Sequence, residues 1–145
     1  MLEIAATKYC KPKVPITLKE HKTFDGKIVM ECNINKGSEL PYLCRNIKGE
    51  WKVYYREDDE CKLASIVRYT MMTLQNGVKN STIFTEKDQE VMELIRGYPE
   101  GVNKNVVSRK LKIEYRLTVS ILARLMYLGM LKESKKLNTT LYTVV

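Results

Sequence analysis

The sequence predicts an α+β chain built from two small domains, a β-rich one over residues 1–78 and a helical one closed by a hairpin over residues 83–145. Three observations lead there. Short alternating segments rich in β-branched and aromatic residues fill the first half, and apolar residues at three- and four-residue steps recur in the second. The polar, turn-prone stretch GVKNST (77–82) separates them. A chain of 145 residues can bury one good core or two small ones.

Residues 2–10 read as the end of a helix closed by Pro12 and Pro15, because a proline turns the preceding residue away from the helical region. ITLKEHKTF (16–24) and KIVMECNI (27–34), joined by Asp25-Gly26, give a hairpin signal. Ile28, Met30, Cys32 and Ile34 alternate with Val29, Glu31 and Asn33, so one face is expected to be buried. NKGSELPYL (35–43) reads as a loop, and NIKGEW (46–51) as a turn feeding the strand WKVYYR (51–56). The acidic run Glu57 to Glu60 reads as a solvated loop. LASIVRYTMMTLQN (63–76) has Leu63, Ile66, Val67, Tyr69, Met71 and Leu74 at a helical period and stops at Asn76-Gly77.

In the second half, Thr85 can cap a helix whose inner face is Val91, Leu94 and Ile95, with Asp88 suited to the positive helix start. Gly97-Tyr98-Pro99-Glu100-Gly101 breaks it. Asn103 then caps a short helix, NKNVVSRKLK, with Val106 or Val107 and Leu111 inside. A tight turn at Ile113 and Glu114 leads to the longest helix, 115–128, stopped by Gly129, with Thr118, Ile121, Leu122, Leu125 and Leu128 facing the core. MLKES (130–134) and TLYTVV (140–145) flank a basic turn, KKLNT (135–139).

Charge is distributed unevenly. The net charge is +8, and residues 101–136 hold nine basic side chains against Glu114 and Glu133, whereas 83–100 carry Glu86, Asp88, Glu90, Glu93 and Glu100 against Lys87 and Arg96. A one-sided basic segment is what a DNA-facing element requires.

The order helix, short helix, tight turn, longer helix and basic-tipped hairpin, with Val107, Leu111 and Ile113 spaced V-x-x-x-L-x-I and L-G-M-L at 128–131, resembles the winged helix-turn-helix family over residues 83–145. That resemblance implies double-stranded DNA as partner, the third helix in the major groove and the hairpin as a wing on phosphates. The stripe opposite the core offers Tyr115, Arg116, Val119 and Ser120, with Arg124 further along. Arg116 is the candidate base reader, since a guanidinium can engage guanine bidentately. Lys104, Arg109, Lys110 and Lys112 are candidates for the phosphate backbone from the second helix and turn, and Lys135 and Lys136 from the wing tip.

ATKYCKP (6–12), GKIVMECNI (26–34), KGSELPYLCR (36–45), WKVYYRED (51–58) and LAS (63–65) resemble the C-terminal part of the Schlafen-type AlbA-like domain. Pro41, Tyr42, Tyr54 and Arg56 fall on that pattern. The family's opening Glu-Phe-Lys strand, helix and Asn-rich Gly-Gly loop have no counterpart, so the chain is expected to be a member lacking its N-terminal half, where nuclease relatives would hold metal ligands. Tyr54 and Arg56 could stack on and contact nucleic acid. Their place on a strand beside the acidic run favours a structural role, with Arg56 pairing there.

Catalysis is not expected. His21 is the sole histidine and sits on a polar strand, and no G-x-S-x-G, phosphate-binding loop or H-E-x-x-H occurs. Cys10, Cys32, Cys44 and Cys61 lack C-x-x-C spacing and read as reduced, mostly buried residues, so neither a metal nor a cofactor is expected. No apolar run nears the roughly 18 residues of a membrane span, and the start lacks a secretory h-region, which points to a cytoplasmic protein without membrane contact. The expectation is a DNA-binding transcription regulator, pairing as a homodimer through its AlbA-like half. The alternatives are a protein-interaction or dimerisation module, or a fragment of an AlbA-like ATP- or nucleic-acid-binding protein.

Overall fold

A computed structural model describes residues 1–35, 37, 39–77 and 84–145, with the side chains of Asn76 and Gly77 excepted. The fold is mixed α+β, as its sequence predicts, and divides into two compact units, Met1–Leu63 and Ala64–Val145. Most of the boundary stretch expected at 77–82 lies outside the described residues.

In the first unit, helix α1 (Leu2–Lys8) runs into a short strand β1 (Cys10–Lys11). β1 opens a four-stranded antiparallel sheet of order β1-β4-β5-β6, with β4 at Leu43–Arg45, β5 at Trp51–Glu57 and β6 at Glu60–Leu63. The acidic run is not a loop. Glu57 and Glu60 face each other across the β5–β6 ladder, and Asp58 and Asp59 make the tight turn, Asp58 at φ 51°. Lys62 accommodates the charge by bonding Glu57 at 2.7 Å, which holds its ammonium above the usual lysine range. Arg56 pairs with Asp59 at 3.6 Å, and Lys11 lies 4.5 Å from the Trp51 ring centre.

The hairpin forms from β2 (Ile16–Lys22) and β3 (Ile28–Ile34) in the register Ile16 to Ile34. Its connection is longer than the Asp25-Gly26 pair. Thr23 and Lys27 close a loop of Phe24, Asp25 and Gly26, in which Gly26 N donates to Thr23 O and Gly26 takes φ +80°, the geometry of a type I turn with a glycine bulge. Nor is one face of β3 buried. Ile28, Met30 and Ile34 are 61%, 46% and 67% exposed, because among the described residues the two strands pack chiefly on each other. Of the cysteines, Cys10, Cys32 and Cys44 are half-buried and Cys61 is exposed, and all four are free thiols.

The second unit holds most of the buried apolar residues. Helix α2 (Ile66–Gly77) belongs to it: Val67 is fully buried in its core, Met71 and Leu74 pack against that core, and the helix lies along α5 (Tyr115–Tyr127). Residues 63–76, expected in the first domain, are therefore split after Leu63. The last strand of the sheet takes Leu63, and the helix begins at Ile66. Ser65 and Arg68 fix that start by hydrogen-bonding Glu133, the former at 2.7 Å, and the Glu133 side chain is 5% exposed.

Helix α3 (Glu86–Arg96) is capped as its sequence foretells: Thr85 accepts from Asp88 N while the Asp88 carboxylate accepts from Thr85 N. Asn103 caps α4 (Lys104–Leu111) by accepting from Val106 N at 3.0 Å, and the inner valine is Val107. Between them Gly101 takes φ +89°. A Cβ there would sit 3.0 Å from Leu141 and 3.1 Å from Thr143, so glycine alone lets Val102 bridge to Tyr142. Strands β7 (Leu131–Lys136) and β8 (Thr139–Val144) finish the unit.

Tyr142 is fully buried, and its hydroxyl has Ser65 nearby without meeting hydrogen-bond geometry. Burial, reinforced by the Glu133 carboxylate, pushes this phenol well above its ordinary value of 10.0. The unfolded chain can release the proton from about pH 10 while the folded chain retains it, so stability falls as pH rises beyond that point. Tyr142→Phe is expected to remove this part of the alkaline loss and, by deleting an unsatisfied hydroxyl, to be neutral or stabilising by up to about 1 kcal/mol at pH 7. Urea unfolding at pH 7 and 10.5 measures both.

Candidate nucleic-acid interface

Seven of the candidate residues lie on α4 (Lys104, Arg109, Lys110), the turn after it (Lys112) and the first half of α5 (Tyr115, Arg116, Ser120). Lys112 ends α4 in the left-handed region, φ 53° and ψ 39°, with its N–H on Ser108 O and Arg109 O. Ser108 Oγ donates to Ile113 O at 2.8 Å, and Ile113 N donates back to Ser108 O at 3.1 Å. This closed turn sets α5 against α4. Glu114 precedes α5 without a side-chain cap, leaving first-turn N–H groups open at the positive end of the helix dipole.

Tyr115, Arg116 and Ser120 are exposed there, as is Leu117, which periodicity did not single out. Lys104 is half-buried, its ammonium 5.8 Å from the Tyr115 ring centre, so a cation–π contact holds that aromatic in place. Arg109, Lys110 and Lys112 are exposed. Among the described residues no carboxylate pairs with them or with Arg116, so their charge is uncompensated.

Two of the expected contacts fall elsewhere. Val119, placed by its spacing on the outward stripe, is buried, because α2, α3, α4 and β7 all pack on α5 and cover more of its circumference than one stripe. Arg124 is drawn inward: its guanidinium donates to Asp88 Oδ1 from Nε at 3.1 Å and from Nη2 at 2.6 Å, with the Asp88 side chain fully buried and that of Arg124 23% exposed. Asp88 thus caps α3 with one oxygen and anchors α5 with the other. The sequence signal was the Thr85-to-Asp88 box, whose second oxygen still needed a donor.

The hairpin also departs from expectation. Lys135 and Lys136 belong to β7, opposite Thr140 and Thr139, and the turn is only Leu137 and Asn138. The strand pleat sends the two lysines to opposite faces, and Lys136 lies 3.8 Å from Glu100. The tip itself is Leu137, 95% exposed and at φ 55°. A left-handed Leu costs about 1 kcal/mol relative to glycine, so Leu137→Gly is expected to stabilise the fold by about that amount in thermal or denaturant unfolding.

Set against protein-family models, curated proteins and solved structures, the chain has no match. Assignment of function therefore rests on the geometry of this surface.

Proposed function

We propose that residues 64–145 form a winged helix-turn-helix that binds duplex DNA, and that the protein is a DNA-binding transcription regulator rather than an enzyme. The observation that carries this reading is the exposed start of α5, where Arg116, Tyr115 and Ser120 stand beside the unneutralised Arg109, Lys110 and Lys112. A duplex major groove admits a helix end of this kind, with Arg116 on base edges and the other cations on flanking phosphates. The β7–β8 hairpin serves as the wing, presenting Lys135 and Lys136 on its two faces.

Fluorescence anisotropy of the full chain against random duplex DNA at about 50 and 200 mM salt tests the reading. Micromolar binding at the lower salt that collapses at the higher supports it; no binding at the lower salt refutes it.

The exposed Ile28, Met30 and Ile34 of the first unit favour a second role for that unit, that of a pairing surface joining two copies. Such a homodimer would present two α5 helices to two half-sites about one helical turn apart.

A further inference from the structure

Cys10 and Cys44 are directly opposite each other in the β1–β4 pair. Arg45 N donates to Tyr9 O at 2.8 Å, so the Tyr9–Arg45 position is the hydrogen-bonded one. Cys10 and Cys44 then occupy the adjacent non-hydrogen-bonded position, where antiparallel Cα atoms approach to about 4.5 Å and side chains come closest. Their Sγ atoms are 3.9 Å apart. A disulfide spans Cα separations of about 4.4–6.8 Å, so side-chain rotation alone can bring these sulfurs to bonding distance.

We propose that Cys10 and Cys44 form a reversible oxidation site, at which a hydroperoxide converts the two facing thiols into an intramolecular disulfide. One thiolate attacks the terminal peroxide oxygen; the O–O bond breaks, the alkoxide or hydroxide leaves and takes up a proton, and a sulfenic acid remains. The facing sulfur then attacks that sulfenic sulfur, the S–S bond forms, and the hydroxyl departs as water with the second thiol's proton. The two thiols are oxidised by two electrons and the peroxide is reduced by two. A dithiol reverses the change by exchange.

The site matters because of the unit around it. Among its described residues only Ala6 and Val53 are buried, so the first unit has little core, and a small unit of this kind gains from a covalent staple. The new bond would tie the α1–β1 segment to the sheet and close the stretch of chain that contains the β2–β3 hairpin. Burial and the neighbouring Cys44 raise the Cys10 thiol above its usual range, so its thiolate is scarce at neutral pH and attack by Cys10 quickens as pH rises. Cys32, opposite Leu18, and Cys61, opposite Arg56, stand at other ladder positions.

The test treats the 145-residue chain and its Cys32→Ser/Cys61→Ser variant with dilute hydrogen peroxide. Thiol titration, non-reducing peptide mapping and a thermal scan follow. The variant is expected to lose both titratable thiols, to yield one linked peptide joining Cys10 to Cys44, and to stay monomeric by denaturing electrophoresis. Its melting temperature should rise by several degrees and return after dithiothreitol. In the unsubstituted chain the same linkage should dominate the map. Retention of both thiols, sulfinic acid without a linkage, an intermolecular dimer, or a map dominated by Cys32 or Cys61 would overturn the proposal.

Discussion

Replacing Arg124 with alanine is expected to cost about 3–5 kcal/mol of folding stability, because it strands the Asp88 carboxylate in a site from which water is excluded. The carboxylate would keep its hydrogen bonds from Thr85 but lose the guanidinium that neutralises it. Arg124→Ala combined with Asp88→Asn should recover much of the loss, since the stranded charge is then gone while an amide oxygen can still accept from Thr85. Urea midpoints of the single and double variants give the coupling. A loss below about 1 kcal/mol for Arg124→Ala would mean that the pair is solvated and that Arg124 is free for other work. The same substitution separates a structural arginine from a DNA-contacting one: at a temperature where the variant remains folded, its affinity for random duplex should match the parent's.

The largest effect on binding is expected from Arg109→Gln, Lys110→Gln and Lys112→Gln together. All three side chains are exposed, and among the described residues none is engaged by a carboxylate, so folding should change little. Each phosphate contact contributes roughly 0.9 to the slope of log affinity against log salt. The triple variant should therefore bind about a hundredfold more weakly near 100 mM salt, with a slope shallower by about 2–3. Arg116→Ala should behave differently. If Arg116 reads a guanine, its loss narrows the gap between the selected and random sequences by about 1–3 kcal/mol and leaves random binding nearly intact. Equal weakening on all sequences would demote Arg116 to a phosphate contact; an unchanged triple variant would place the interface elsewhere on the protein.

Local chemistry was the most legible part of this sequence. Thr85 and Asn103 cap the helices they were expected to cap, because a side-chain oxygen bonding an amide three residues on needs nothing from the rest of the fold. What depends on distant partners was harder to read. The apolar stripe of residues 66–74 said that a helix was present and needed cover, but not that the cover would be α5 in the second unit. Alternation in β3 implied a buried face that the described first unit does not supply. Four successive acidic residues looked unable to pair, yet a strand ladder with Lys62 beside it tolerates the two outer ones. At the candidate interface, the exposed cations of α4 and the start of α5 were visible from spacing. The diversion of Arg124 was not, because the residue it satisfies lies 36 positions away.

The attachment of α2 has a practical bearing on how the protein can be taken apart. A piece cut at the polar stretch, beginning at residue 84, would carry every candidate DNA contact and still lack the helix that shields the back of α5. Glu133 would lose both Ser65 and Arg68, and the core would lose Val67. The smallest self-sufficient binding fragment should begin near Ala64. Helix α2, which precedes the apparent interdomain boundary in the sequence, then serves as an inner wall of the second unit.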